Sequence, residues 1–345
     1  VFGFKEIIGE DCRTQSLWNI IMKFNGIIQI TIVFHHDNYS YGWWMVTNMI
    51  NTHFLKKKLL KEVLFLLNKD VSTIKSEIIM KRYPAVAGRF YSNKCSDLKE
   101  DLASMIFEPL KKKQAIGVIV PHAGYIFSGA CAGKVYGQVN IPDSVIILGV
   151  NHSGRGHAFA VDANESWVTP LGEIEIDDLL RSELLSESKI FKADPGVAKQ
   201  EHSLEVQVPF IQYLNSKTKI LPITISSRNI DQLIAAGRDL AKVVQKYPET
   251  LIVASTDMSH FISAQEAEKK DGLAIMQILK KDPEGLLNTV FENHISMCGV
   301  SPTAIMLSAA NQLGAKKVEQ VDYTHSGIVT GDHQEVVAYL GMIVH

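Results

Sequence analysis

The sequence predicts an α/β fold: a single αβα domain around a mixed, largely parallel sheet, running from residue 80 to residue 345. Two observations carry the prediction. From Met80 onward, short apolar runs of strand length alternate with stretches of helical periodicity, the pattern of a sheet covered on both faces. That region also has no internal repeat, no low-complexity stretch and no Gly-, Ser- or Pro-rich linker to divide it.

The strand runs come first. Residues 116–120 (IGVIV), 144–148 (SVIIL), 220–225 (ILPITI), 251–255 (LIVAS) and 335–340 (EVVAYL) are short, apolar and rich in β-branched residues. Helical stretches lie between them at 128–139, 177–185, 230–246, 264–280 and 302–313. Residues 203–214 fit either period, since Leu204, Val206 and Val208 alternate while Leu204, Val208 and Ile211 share a helical face; helix is the preferred reading. The small-residue run SGACAG at 128–133 is expected to let its helix approach the sheet closely, with Cys131 as a buried apolar residue. No glycine pattern matches a P-loop or a dinucleotide fingerprint.

Residues 1–79 differ in kind. They hold no alanine and no proline, whereas residues 80–345 hold all 24 alanines and all 11 prolines. The depleted types have GC-rich codons and the enriched ones, Ile, Asn, Lys and Phe, have AT-rich codons. The expectation is an unassigned N-terminal extension, translated from upstream of a natural start at Met80. The alternative is a genuine extension containing an amphipathic, Lys-rich helix at 55–68.

Composition excludes several classes. A net charge of −2 gives no electrostatic reason to expect nucleic acid or an anionic membrane as partner. The four cysteines, Cys12, Cys95, Cys131 and Cys298, are scattered with no CxxC pair, which points to a reducing cytoplasm. No run approaches the roughly 18 apolar residues that a membrane span needs, and the first 30 residues carry no secretory pattern.

Chemistry is expected where three strands end alike. Residues 116–120 lead to Pro121-His122, residues 144–148 to Gly149-Val-Asn-His152, and residues 251–255 to Thr256-Asp257-Met-Ser-His260. Ligands of open α/β sheets bind beyond the carboxyl ends of the strands, so three histidines delivered to that edge outweigh any one of them. Imidazoles suit Fe, Cu, Zn and Ni, and a thiolate adds preference for Zn, Fe or Cu(I). Cys298 sits just before a helix start, where the helix dipole and free N–H groups would favour a thiolate. The residues alone leave it open between a metal ligand and an inert buried thiol. Asp257 is a candidate base or histidine partner, with capping of its turn as the plainer role. His202, in Glu201-His202-Ser203, stands where a helix is expected to start. His157, His294 and His325 read as surface or structural residues.

Six segments occur in register: YPAVAGRFY at 83–91, PHAGY at 121–125, LGVNH at 148–152, EHSLEVQVPF at 201–210, STDMSH at 255–260 and MCGVSP at 297–302. Together they resemble the Memo family, whose prokaryotic members are labelled AmmeMemoRadiSam system protein B. The resemblance implies a fold similar to class III extradiol dioxygenases, which use non-haem Fe(II). Carried over by motif, it implies His122, His152 and Cys298 as metal ligands, Asp257 and His260 beside the metal, and His202 lining the same cleft. It differs from the dioxygenases in one respect: their third ligand is a carboxylate, here replaced by a thiolate, so ring cleavage does not follow from the fold.

The resulting expectation is a metal-dependent redox protein using Fe(II), or Cu or Zn, on a small-molecule or peptide ligand. Three alternatives stand beside it. One is a non-catalytic peptide- or partner-binding module. Another is a component acting with Ammecr-type and radical S-adenosylmethionine proteins. The third is a zinc hydrolase, since a His₂Cys site with an open position also activates water.

Overall fold

The computed structural model describes residues 18–24, 28–37, 40–47 and 81–345, and the chain divides into two compact units, Val1–Ile78 and Ile79–His345. In the first unit, β1 (Trp18–Phe24), β2 (Ile28–Asp37) and β3 (Ser40–Thr47) form an antiparallel meander in the order β1-β2-β3. Its register pairs Trp18 with Phe34 and Phe34 with Trp43, a β-branched and aromatic composition suited to strands. The helix expected at 55–68 lies outside the described residues.

The second unit is the α/β domain. It opens with β4 (Lys81–Arg82), α1 (Cys95–Met105), β5 (Gly117–Val120), α2 (Tyr125–Gln138) and β6 (Ser144–Val150). Then come β7 (Phe159–Asp162), β8 (Ser166–Thr169), β9 (Gly172–Glu175), α3 (Asp178–Glu187) and β10 (Lys192–Asp194). Two short helices, α4 (His202–Glu205) and α5 (Val208–Leu214), precede β11 (Lys219–Ile225), α6 (Ile230–Lys246) and β12 (Leu251–Ser255). The chain continues with β13 (His260–Ile262), α7 (Ala264–Leu279), α8 (Pro283–Glu292) and α9 (Val300–Gln312). It closes with β14 (Val318–His325), α10 (Gly327–Thr330) and β15 (Val336–Val344).

Among the described residues the main sheet runs β10-β7-β11-β6-β12-β5-β15-β13, with β14 paired to β15. Its centre, β11-β6-β12-β5, is parallel, and those strands are mostly apolar and buried along nearly their whole length because both faces are covered. Antiparallel pairings join β7 to β11, and link β5, β13 and β14 to β15, so the sheet is more mixed than the strand runs suggested. A smaller sheet, β4-β8-β9, lies apart. The strands missed from sequence are short or lie at the margins, and β14 is only half-buried, so its apolar alternation is weak.

Helix starts follow local chemistry. Asn229 accepts from the Gln232 N–H at the start of α6, and Ser263 accepts from the Glu266 N–H at the start of α7, a Ser-x-x-Glu capping pattern. In α9 every residue from Val300 to Ala310 is buried, as expected of a helix apolar all round. The helix α2 lies close on the sheet as expected, since a Cβ on Gly341 of β15 would strike Val135 and Cys131, and the glycines of its small-residue run, Gly129 and Gly133, also admit Met105 at the end of α1. No described helix is long and apolar enough to cross a membrane.

Candidate metal centre

Parallel register places the functional side chains. Ser255 pairs with Val120 and Ala254 with Leu148, so β5, β6 and β12 end at one edge. The next residues, including His122, His152 and Asp257, therefore emerge together. The ring centroids of His122, His152 and His202 lie 4.6–5.5 Å apart, and their candidate ligand atoms all fall within 4.8 Å of one another.

His122 is buried, and its tautomer follows from its neighbours. The Ser255 hydroxyl gives its proton to the Ser203 carbonyl at 2.6 Å and accepts from Gln207 Nε2 at 2.8 Å. It can therefore only accept from His122 Nδ1, 3.0 Å away. Nδ1 carries the proton, and the Nε2 lone pair faces Cys298 Sγ at 3.3 Å. Burial, then the nearby His202 and His152, hold the imidazole well below its usual pKa, so it stays neutral, the form that ligates.

His152 has a different support. Glu201 accepts from His152 Nδ1 and from its backbone N–H, each at 2.8 Å, and from the Ser203 N–H at 2.9 Å. Burial alone would raise the carboxyl's pKa, but the hydrogen bonds and the His152 charge overcome it and bring Glu201 down to about 2. An ionised carboxylate on Nδ1 fixes His152 with Nε2 free, the arrangement that orients metal-binding histidines. His202 stacks on His152 with only 18° between the rings, and its own pKa is lowered by burial.

Cys298 lies just before Gly299, where a Cβ would strike Thr256 Cβ and the Ser255 carbonyl; glycine is needed for this turn to lie against the end of β12. Its Sγ accepts from the Asp257 N–H at 3.3 Å. The expected helix-start stabilisation of a thiolate is outweighed: burial, then the Asp257 charge, push the thiol well up. Asp257 accepts from the His122 N–H at 2.7 Å, and burial raises its carboxyl. His260 donates its backbone N–H to Ser296 Oγ at 2.8 Å and Nδ1–H to the Ser296 carbonyl at 2.9 Å, which leaves Nε2 as an acceptor. His157, His294 and His325 do not join the three-histidine group.

Sequence reading missed several supporting groups. Ser255 and Gln207 are neutral and gain a role only through contacts across the fold, whereas Glu201 stood beside His202 in the motif and signalled only a helix start. A buried ion pair further back joins Arg82 Nη1 to Glu205 Oε2 at 2.6 Å, with side chains 1% and 0% exposed. Arg82 also donates to the Ala198 and Glu201 carbonyls at 3.1 Å. Glu205 accepts from the Ala85 and Val86 N–H groups and from the Tyr91 hydroxyl. The 83–91 motif is thus strapped to the helix that carries His202, and the Phe90 ring lies 4.9 Å from the His202 ring.

A family model described as Memo-like protein matches residues 82–343, which takes in both the histidine group and the Arg82 strap. The chain belongs to the Memo family. A MEMO1 family protein of Aquifex aeolicus is 42% identical over 264 residues, 76% of this chain and 98% of that one. Another, from Sulfurisphaera tokodaii, is 38% identical over 283 residues, 76% of this chain and 99% of its own. A solved structure of an uncharacterized protein from Escherichia coli K12 superposes on this Memo-family chain with a TM-score of 0.43 at 14% identity, covering 66% of this chain and 98% of that one.

Proposed function

We propose that this Memo-family chain is a metal-dependent redox protein holding one ion, iron(II) in the first place and copper or zinc as alternatives, on His122, His152 and Cys298. One observation carries the reading: two imidazoles present Nε2 into one cleft, each with Nδ1 tied down behind it, and a sulfur stands 3.3 Å from one of them. Two ligands of one tetrahedral ion, at about 2.0–2.1 Å for nitrogen and about 2.3 Å for sulfur, lie about 3.5 Å apart. The His122–Cys298 spacing suits that.

Proximity alone would nominate His202 as the third ligand, but ring orientation argues against it. A metal sits in the plane of each imidazole that binds it. Rings stacked at 4.6 Å and 18° have separate planes, so His152 and His202 cannot both aim at one ion without turning. His122 meets His152 at 86°, an arrangement that can converge. His202 then lines the open side of the site.

The bound metal would supply Lewis acidity and one-electron chemistry. The chain's own residues would handle protons: His260 Nε2 as the acceptor for a ligand hydroxyl, and the buried Asp257 carboxyl beside His122. Metal analysis of anaerobically purified protein, followed by EPR after nitric oxide addition, tests the reading. Stoichiometric iron with a nitrosyl signal is expected. Zinc in its place would select hydrolysis, and protein that takes up no metal would sink both.

A further inference from the structure

Three described non-glycine residues adopt left-handed φ: Phe261 at 57°, Lys281 at 57° and His294 at 50°. Two have ordinary explanations. Lys281 and His294 each stand one residue beyond a helix C-cap, where a left-handed residue ends the helix. Phe261 ends no helix. It lies inside β13, where the pairing with β15 shifts register between His260 and Ile262. Bulges of this kind re-aim side chains and gather beside active sites.

The strand is anchored on both sides of Phe261. His260 is pinned to Ser296, Ile262 pairs with Val336, and the Ala264 N–H donates to the His333 carbonyl at 3.0 Å. The ring itself is 73% exposed, so burial gives the fold little return for a backbone conformation that an aromatic residue adopts at a cost. The ring is held 5.9 Å from that of His260, tilted by 58°. His260 in turn is held by Ser296, two residues before Cys298, and stands three residues after Asp257, whose N–H donates to the Cys298 sulfur.

We infer that Phe261 is a specificity-determining residue: its ring forms an aromatic lip that receives the planar, apolar part of a substrate whose polar end reaches His260. The inference rests on the metal-site reading for the location of the chemistry. The ring contact itself does not need the metal.

The test uses the full chain and 4-fluorophenol as probe, followed by ¹⁹F NMR in metal-free, Zn(II)-loaded and Fe(II)-loaded protein. Phe261→Asn keeps a residue that tolerates left-handed φ while removing the ring, Phe261→Gly removes strain and ring together, and Phe261→Trp restores an aromatic face. Expected are a loss of probe affinity of about threefold to tenfold in the Asn and Gly variants and near-native affinity in the Trp variant. Metal content should not change, and the Gly variant should melt no lower than the wild type, rising by roughly 2 °C. Three results overturn the inference: a wild type that does not bind the probe, equal affinity in all variants, or a Gly variant that melts lower because the ring supports the fold. Failure of the metal reading shows separately, as wild-type protein without metal, while the metal-free spectra still report the ring contact.

Discussion

His122 is 2% exposed and leans on a neutral hydroxyl, Ser255, which Gln207 and the Ser203 carbonyl hold in place. His152, across the cleft, keeps 38% of its side chain accessible and leans on one ionised carboxylate, Glu201. The two imidazoles reach the same tautomer by different means. On the dry wall a closed chain of neutral hydrogen bonds fixes the ring, and charge would be costly there. On the open wall a buried anion fixes it by accepting from Nδ1. Removing a charge should therefore injure only the second wall, while disturbing packing should injure the first.

The largest effect should come from the proposed ligands. Single alanine changes at His122, His152 or Cys298 should each remove most bound metal, measured by anaerobic metal analysis, whereas His202→Ala should retain it. Retention in Cys298→Ala with loss in His202→Ala would move the third ligand to the open wall. Cys298→Asp recreates two histidines and a carboxylate and should shift selection towards iron over copper and zinc in a competition titration.

Next in size is Glu201→Gln. It keeps the shape but removes the anion behind His152, and metal affinity should fall by about 10- to 100-fold. The matching change on the dry wall, Ser255→Ala, leaves the His122 Nδ1–H and Gln207 donors buried without an acceptor. It should cost about 1–3 kcal/mol in chemical denaturation, with metal loss following from unfolding. Equal responses of the two variants would erase the distinction between the walls.

A smaller effect concerns Asp271, buried in α7, which accepts from the Ser259 N–H and hydroxyl and from the Tyr323 hydroxyl. Burial raises its pKa. A carboxyl raised in the folded state favours folding when protonated, so its contribution is full below the ordinary Asp value of about 3.9 and is lost as pH rises through the raised folded value. Asp271→Asn should flatten that part of the stability–pH curve, and a curve unchanged by the substitution would refute the assignment. Smallest of all, a chain beginning at Met80 should keep the melting temperature and metal content of the full chain. Loss of folding would instead make residues 1–79 part of the core.

His122 and His152 were legible because parallel strands must finish at one edge, and the apolar runs of β5 and β6 reveal where each finishes; the third strand-end histidine, His260, does not join the group, and His202 takes that place. Their supports were less so. Ser255 reads as the last residue of a strand, and Gln207 as one polar residue in a short helix; only the folded chain makes them partners. Cys298 is less directly legible. Its place before a helix suggested a stabilised thiolate, but burial and Asp257, neither visible from spacing, act the other way. The flanking strands β7 and β10 escaped notice because they run only four and three residues, too few to establish a period.

The Arg82–Glu205 strap also bears on how the domain is made. Arg82 is near the beginning of the domain, and its buried guanidinium is matched only when Glu205 has been synthesised. The sulfur beside His122 arrives later still, at residue 298, and β15, which borders β5, is the last of the described strands. A ribosome-bound chain that has exposed only its first half holds an unpaired cation and two imidazoles without their sulfur. The proposed centre would therefore assemble late, once residue 298 has joined the two earlier histidines.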